Sequence, residues 1–349
     1  MPERQYRQEQ GECLYYSFWQ FSRLWRRAKV DAIIQGDRYN LVRNDNYWGS
    51  EKGIFEKVVI RYYADASTMY IDYETNALDI IAIPLVTDVK RVINGDIDNT
   101  ICDLYTTMQT VTLTFNEEKN PLLHNEDLKK AVSLAIDPTI MAMHAYEFLA
   151  LPAISTMPRG VKDAYLRETP RAVEAAKQAL SDAGYAPSQV KLILGTNTVG
   201  TSMALAEVLQ GQLAEVGIEI EILAVDPTSH IVNARNEGSD TYDLQMGIFN
   251  FATLDTANLI GTISHACGSK TFSAAADPNV DELSLKAKAA MNQEEKSALI
   301  IKIQEYLADH YWVYPLAESK TAIIYRDYLT GVRAIAPRGP NINAVTIAG

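Results

Sequence analysis

Apolar residues follow two different periods along this chain, and the period predicts which segments form strands and which form helices. In Val111–Phe115 and in Ile218–Ile222 every second residue is apolar, which is the period of a half-buried strand. After Asn125, a good helix N-cap, the spacing changes to three and four residues, with apolar positions at Leu128, Ala131, Val132, Ala135 and Ile136. That spacing places all five on one face of an amphipathic helix.

The clearest single unit is a strand, a helix and a second strand within about 35 residues. Val190–Leu194 reads as a strand, Ser202–Val216 as a helix that Gly217 ends, and Ile218–Ile222 as the next strand. A crossover of this kind joins two parallel strands. The chain is therefore predicted to be an α/β protein.

The same criteria predict the remaining elements. Strands are expected at Arg38–Arg43, Val58–Tyr62, Leu78–Ile83, Asp243–Phe249 and Thr321–Tyr325, with an extended stretch at Trp312–Pro315. Helices are expected at Ala66–Asn76, from Thr169-Pro170 to Gly184, at Asp281–Met291, and after Asn292, which has Glu295 three residues on as in a capping box.

Residues 1–28 differ from the rest of the chain. They are dense in Tyr, Phe and Trp, whereas aromatic residues make up 9% of the whole chain, and they are net basic in an acidic protein. No period organises them. We interpret them as a truncated or misjoined start, and the alternative is an aromatic-rich segment that packs on the fold.

Composition and charge narrow the class of protein. The 349 residues are 47% hydrophobic and carry a net charge of -12, so the chain can fill a sizeable core but repels a phosphate backbone, and no nucleic-acid partner is expected. Its three cysteines form no CxxC pair. No apolar run reaches the length of a membrane span, and the first residues show no basic region leading into an apolar one, as a signal peptide would.

A search for reactive groups finds no catalytic or metal site. The five histidines show no ligand spacing and are expected at the surface or at helix caps, and no GxSxG elbow is present. Gly195–Gly200 lies where a phosphate loop would lie, but Thr201 stands where a lysine is required. The sequence therefore predicts no enzyme activity, no metal and no cofactor.

Eight short motifs, in order along residues 29–335, resemble the family 5 extracellular solute-binding proteins of ATP-binding cassette importers, the peptide-binding lipoproteins and periplasmic proteins. Tyr39–Trp48 resembles that family's Leu-x-Arg-Asn segment ending in Tyr-Trp, and Leu128–Asp137 is similar to its "Arg-x-Ala…Ala-x-Asp" helix. The other similar segments are Asn76–Ile80, Phe115-Asn116 with Pro121, Ala179–Tyr185, Leu213–Ile220, Tyr242–Asp255 and Asp277–Leu283.

The resemblance implies a periplasmic-binding-protein-like two-lobed fold (type II) with one lobe incomplete. The family's N-terminal signal, most of its first lobe and a glycine-rich GTGPY segment have no counterpart here, and residues 25–28 stand at the position of the last. Expected crossings near Phe115-Asn116 and Tyr314–Leu316 divide the chain into an atypical segment 1–28, a first-lobe remnant 29–116, a second α/β lobe 117–314, and a return 315–349.

The resemblance also implies where a ligand binds, in the cleft between the lobes. Asp255 corresponds to the family's aspartate that pairs with a peptide amine, and the alternative role is a helix N-cap. Phe249 and Phe251 either wall the pocket or pack the core, Asn250 either bonds ligand backbone or caps its strand, and Asn116 either touches ligand or fixes the hinge.

The implied function is that of a monomeric carrier outside the cytoplasm, in the periplasm or at the cell surface. It binds peptides and delivers them to the permease subunits of an ATP-binding cassette importer. A carrier of a nickel complex, haem or sugar, and a truncated fragment without function, remain open alternatives.

Overall fold

The computed structural model describes residues 28–49, 55–63, 65–82, 84–147, 149–235, 241–251, 255–267, 277–335, 339–340 and 345–347. The chain forms two compact units, one of residues 1–105 with 321–349 and one of residues 106–320. The segment 1–27, for which the aromatic composition raised the question of a misjoined start, lies outside the described residues. The lobe bounds 29–116, 117–314 and 315–349 stay a prediction.

The larger unit is a mixed sheet with helices on both faces. Its strands lie in the order β10-β5-β9-β7-β8, and β6 pairs with β10. The strands are β5 (Thr100–Phe115), β6 (Ala150–Pro152), β7 (Val190–Asn197), β8 (Ile218–Val225), β9 (Leu244–Asn250) and β10 (Val313–Arg326). β5 and β10 also continue into the smaller unit.

Eight helices belong to the described part of this unit. They are α3 (Glu126–Ala135), preceded by a 3-10 turn at Pro121–His124, α4 (Pro138–Tyr146), α5 (Val173–Asp182), α6 (Gly200–Glu215), α7 (Pro227–Arg235), α8 (Ala257–Ile263), α9 (Pro278–Ala289) and α10 (Gln293–Asp309).

The crossover predicted from the sequence is confirmed. β7 and β8 pair in parallel from Val190 with Ile218 to Asn197 with Val225, and α6 connects them. α6 ends where expected, because Gly217 has φ +89, a conformation that side chains with a Cβ rarely adopt.

One core lies on the sheet face that α3 to α6 cover. The apolar face predicted for α3 is entirely buried, since Leu128, Ala131, Val132, Ala135 and Ile136 are 0% exposed. They pack with Val111, Leu113 and Phe115 of β5 and with Leu192 and Leu194 of β7. Asn125 caps α3 through its side chain, which accepts from the backbone N–H groups of Asp127 and Leu128.

A second core lies on the opposite face. Alternate residues of a strand point to opposite faces, so Leu244 and Met246 join the first core and Phe249 joins the second. The second core contains residues of α8, α9 and α10, together with Met157 and Val161 of the segment before α5.

The smaller unit contains a three-stranded antiparallel sheet, β1 (Ala28–Ile34), β2 (Arg38–Arg43) and β3 (Lys57–Arg61). Two helices follow, α1 (Ala66–Glu74) and α2 (Val86–Ile93). The end of β10 pairs with β4 (Ile80–Ile81), and its Ile323 packs with Leu329, Val332 and Val345. The short strands β11 (Leu329–Thr330), β12 (Ala334–Ile335), β13 (Gly339–Pro340) and β14 (Thr346–Ile347) complete this unit.

Three element predictions need correction. The helix expected to begin at Thr169-Pro170 begins at Val173, because the N–H of Ala172 and Nε of Arg171 instead donate to the Leu134 and Ala135 carbonyls at the end of α3. The two extended segments at Trp312–Pro315 and Thr321–Tyr325 are one strand, β10. The strand expected at Leu78–Ile83 is paired only over Ile80–Ile81 within the described residues.

Candidate functional site

Four of the five predicted ligand residues lie at the carboxyl-terminal end of β9 or shortly after it in the sequence. They are Phe249, Asn250, Phe251 and Asp255. β9 pairs antiparallel with β5 along its whole length, from Leu244 with Phe115 to Asn250 with Gln109. Its pairing with β7 covers Leu244 and Gln245. In the part of the chain that the structure describes, the residues Gly247–Phe249 therefore pair with β5 as their only strand.

The two phenylalanines of this segment serve the core. Phe249 is 5% and Phe251 is 1% exposed, and both pack with Leu259, Ile260 and Ile263 of α8. Asn250 lies between them and is half-buried, so its side chain points to the other face of the strand. Of the two roles that the sequence left open for the phenylalanines, the structure shows packing in the core.

Asp255 is exposed and its carboxylate stabilises the start of α8. Oδ1 of Asp255 accepts a hydrogen bond of 2.9 Å from the N–H of Ala257, and the Asp255 carbonyl accepts one of 3.1 Å from Asn258. The capping role weighed from the sequence is therefore present.

Met108 lies next to the end of β9 and was not identified from the sequence. Its carbonyl accepts a 3.0 Å hydrogen bond from the N–H of Phe251. Met108 has φ +57 inside the long strand β5, a left-handed conformation that costs a residue with a side chain about 1–3 kcal/mol. A sequence gives no signal for such a residue, because methionine has no preference for this conformation.

The segment Met157–Gly160 lies against Met108. A Cβ placed on Gly160 would be 3.4 Å from Cε of Met108, an ordinary contact distance, so the segment lies directly beside the methionine side chain. Arg159 fixes this segment, since its backbone N–H and Nε donate to Glu318 of β10 at 3.3 and 3.0 Å. Glu318 is 2% exposed. Its position as a charged residue directly after the apolar run that begins at Tyr314 was the sequence signal that could have identified it as a buried carboxylate.

Asn116 lies at the opposite end of the same ladder. Its N–H donates to the Asp243 carbonyl at 2.8 Å, and its Nδ2 donates to the Tyr242 carbonyl at 3.0 Å. Six residue steps at about 3.4 Å each separate this end of β9 from Asn250, roughly 20 Å. The structure therefore does not bring Asn116 together with Phe249, Asn250, Phe251 and Asp255, and its predicted contact with ligand stays a prediction.

A buried polar network surrounds Asn116. Asp243 accepts from Lys119 Nζ at 3.1 Å, from Asn120 Nδ2 at 3.2 Å and from the N–H of Ile193 at 2.7 Å. These bonds tie the end of β5 to β7 and to the start of β9. Such a fully bonded network holds the strands in register.

His230 contradicts the expectation that the histidines lie at the surface or at helix caps. It is 5% exposed, and its Nε2 lies 2.8 Å from the Met246 carbonyl of β9. Burial lowers the pKa of the His230 imidazole, and the hydrogen bond to Met246 opposes that shift. His230 is therefore neutral in the folded protein near neutral pH and supports β9 rather than a metal.

The groups at the end of β9 can form hydrogen bonds with a ligand. Among the described residues, no group of three or more His, Cys, Asp or Glu side chains is placed to hold a metal ion. Within those same ranges, no helix has the length and apolar character to cross a membrane. The backbone of β9, the carboxylate of Asp255 and the amide side chain of Asn250 are groups that can form hydrogen bonds with a polar ligand.

Comparison with known proteins identifies the fold. The periplasmic binding protein DppA from Helicobacter pylori, in complex with peptide STSA, aligns with a TM-score of 0.74 at 21% identity, covering 93% of this chain and 63% of that one. The putative peptide binding protein AppA from Clostridium difficile aligns with a TM-score of 0.81 at 16% identity, covering 92% and 67%. The predicted α/β periplasmic-binding-protein fold is thereby confirmed.

Comparison with known sequences identifies the family. Heme-binding protein A of Haemophilus influenzae is 23% identical over 304 residues, which cover 83% of this chain and 52% of that protein. The chain thus spans about half the length of this curated relative. The model of the "Bacterial extracellular solute-binding proteins, family 5 Middle" matches residues 29–271, well over half of the chain. The chain therefore belongs to the family 5 bacterial extracellular solute-binding proteins, a family of binding proteins rather than enzymes.

Proposed function

We propose that this chain binds a small solute outside the cytoplasmic membrane for uptake by an ATP-binding cassette importer, and that the solute is a peptide. Family membership supports the first part. The observation that carries the peptide assignment is the end of β9, where Gly247–Phe249 pair with β5 as their only strand among those described. An extended peptide adds to a strand edge through backbone hydrogen bonds, whatever its side chains.

Asp255 supplies the charge that a peptide amine requires. Its carboxylate is exposed and lies five residues after Asn250, the last residue of β9. A charge-assisted hydrogen bond from an ammonium group to a carboxylate is about twice as strong as a neutral one. In this proposal Asp255 both caps α8 and anchors the amino end of the peptide, while Asn250 bonds to the peptide backbone.

The peptide-bound DppA neighbour favours the same ligand class, since its structure contains peptide STSA. A second candidate is haem, which the name of Heme-binding protein A favours. Haem carries no amine, so its binding would not depend on the charge of Asp255. The permease subunits of the importer are the proposed protein partners.

Thermal unfolding of the chain with and without a mixed pool of di- to pentapeptides tests the proposal. A ligand that binds only the folded state raises the melting temperature by mass action, equivalent to about 2.7 kcal/mol at one hundred times its Kd. We expect a rise with the peptides and none with hemin. A rise with hemin alone would replace the peptide by haem, and a cooperative transition with neither response would overturn the peptide assignment.

The variant Asp255→Asn separates the charge from the cap. Asparagine caps a helix about as well as aspartate, so the variant retains its stability but loses the ammonium partner. We expect the peptide-induced rise to shrink or vanish. Asp226→Asn is the matched control, because exposed Asp226 caps α7 by accepting from Thr228 and Ser229 at 3.0 Å and should leave the rise unchanged. Equal responses of the two variants would remove Asp255 from the site.

A further inference from the structure

A small cavity, partly open to solvent, lies in the larger unit. Its volume is ≈ 40 Å³. The walls come from α3, from the segment that follows β6, from α10 and from the start of β10, and include Ser133, Ser155, Thr156, Gln304 and Tyr314. A water molecule needs about 10–15 Å³ of such volume, so the cavity has room for about three waters.

Two of its wall residues have buried hydroxyl groups without a protein partner. Ser133 of α3 is 2% exposed and Thr156 is 7% exposed. Neither Ser133 Oγ nor Thr156 Oγ1 finds a hydrogen-bond partner among the described residues. A buried hydroxyl without a partner is destabilising, and natural proteins seldom contain one that water does not reach.

Three other polar side chains at the cavity, those of Ser155, Gln304 and Tyr314, have partners within the protein. Gln304 accepts from the N–H of Tyr165 at 3.1 Å and from Ser155 Oγ at 3.3 Å, and it donates to the Asp163 carbonyl at 2.7 Å. Tyr314 Oη donates to the Ile136 and Thr169 carbonyls at 3.4 Å. The side chains of Gln304 and Tyr314 therefore bond to groups other than the Ser133 and Thr156 hydroxyls.

We propose that this cavity is a hydration site, in which ordered water molecules bridge Ser133 of α3 to Thr156. The water supplies each hydroxyl with the partner that the chain does not. It joins α3 to the segment carrying Ser155 and Met157, which continues to Gly160 beside Met108. The ligand class is water, because the volume is too small for a peptide or a cofactor.

Paired serine-to-alanine variants test the proposal through the sign of a stability change. Ser284 of α9 is a matched control, since it is also a helical serine, is 0% exposed and has a hydroxyl without a described partner, but it does not line the cavity. Removing a dry, unpartnered hydroxyl stabilises, so we expect Ser284→Ala to raise the Tm by roughly 2 °C or more. Ser133→Ala removes a hydrated group and is expected to leave the Tm unchanged or lower it.

An equal rise in both alanine variants would overturn the hydration site. A crystal structure of the wild-type chain at high resolution gives an independent test that requires no variant to fold. We expect water within hydrogen-bond distance of Ser133 Oγ and Thr156 Oγ1, and loss of the Thr156 water in the isosteric variant Thr156→Val. A dry cavity in the wild type would contradict the proposal whatever the alanine variants show.

Discussion

Arg159 and Glu318, 159 residues apart in sequence, form an ion pair in which the carboxylate is buried and the guanidinium is partly exposed, and the pair fixes the segment beside the candidate site. The carboxylate of Glu318 accepts from both the backbone N–H and Nε of Arg159, and Nη2 of Arg159 donates to the Pro152 carbonyl at 2.6 Å. Glu318 pairs with Leu151 in the ladder of β6 and β10. The pair thus joins the sheet to the segment that ends at Gly160.

Loss of the arginine is expected to destabilise the larger unit. Arg159→Ala leaves the buried carboxylate of Glu318 without its ionic partner, and because the arginine itself is partly exposed we expect the free energy of unfolding to fall by about 1–3 kcal/mol. Arg167→Ala is the control, because Arg167 is exposed to the same extent but its partner Asp309 is exposed as well, and such a pair contributes about 0–1 kcal/mol. Urea denaturation of the two variants measures the difference, and equal losses would contradict the buried role of Glu318.

Gly195 is expected to tolerate no side chain. A Cβ at this position would lie 2.3 Å from Cγ of Tyr242, whose ring is 0% exposed and has nowhere to move. Gly195→Ala should lower the free energy of unfolding by about 3 kcal/mol.

The matched control for Gly195 is Gly211→Ala in α6. A Cβ there meets no atom within 4 Å, and alanine in a helix is more stable than glycine by about 0.5–1 kcal/mol. Chemical denaturation should therefore give changes of opposite sign for the two variants. Stabilisation by Gly195→Ala would show that Tyr242 does not pack on β7 as described.

His230 is expected to make the stability depend on pH. Burial lowers the pKa of its imidazole in the folded state, whereas the unfolded chain titrates near pH 6.5. The unfolded state therefore binds more protons than the folded state below about pH 6.5. Stability is at its full value above that pH and falls as the pH decreases toward the lowered pKa of the folded state.

The variant His230→Gln keeps a hydrogen-bonding group for Met246 but cannot titrate. We expect thermal unfolding measured from pH 5 to pH 7.5 to show a flatter pH dependence than in the wild type. His144→Gln provides the comparison, since His144 is an exposed residue of α4. If the slope of stability against pH is unchanged in His230→Gln and reduced in His144→Gln, the pH dependence arises from His144 and the prediction for His230 is wrong.

Lys129 is expected to contribute more to stability than the exposed Lys177. Its side chain is 3% exposed, and its Nζ lies 2.6 Å from Glu117 Oε1 and 4.2 Å from the centre of the Trp312 ring. Lys129→Ala removes a buried ion pair and a cation–π contact, and should lower the free energy of unfolding by about 3 kcal/mol.

Lys177→Ala is the control for Lys129. Lys177 pairs with Glu174 at 2.9 Å, three residues earlier on the exposed face of α5, and such a pair contributes about 0.2–0.5 kcal/mol. Urea midpoints of the two variants should differ clearly. Similar midpoints would indicate that Lys129 is reached by solvent.

The sequence correctly predicted those elements in which the spacing of apolar residues matches the face that is buried in the structure. The spacing of Leu128, Ala131, Val132, Ala135 and Ile136 requires one buried face, and all five are 0% exposed. The crossover from β7 through α6 to β8 was predictable for the same reason, because Gly217 can end a helix with φ +89 where other residues rarely can. The ordered family motifs then indicated a fold that no single element specifies.

Only the tertiary structure decided how the predicted ligand residues are grouped. Asn116 and Asn250 both follow or end a strand in the sequence, yet the antiparallel pairing of β5 with β9 places them at opposite ends of the ladder. The partners of Glu318 and Lys129 were likewise hidden, because Arg159 is 159 residues from the first and Trp312 lies nearly two hundred residues from the second. Periodicity reports which face of a segment is buried, but strand pairing and side-chain contacts between distant segments depend on how all the elements pack together.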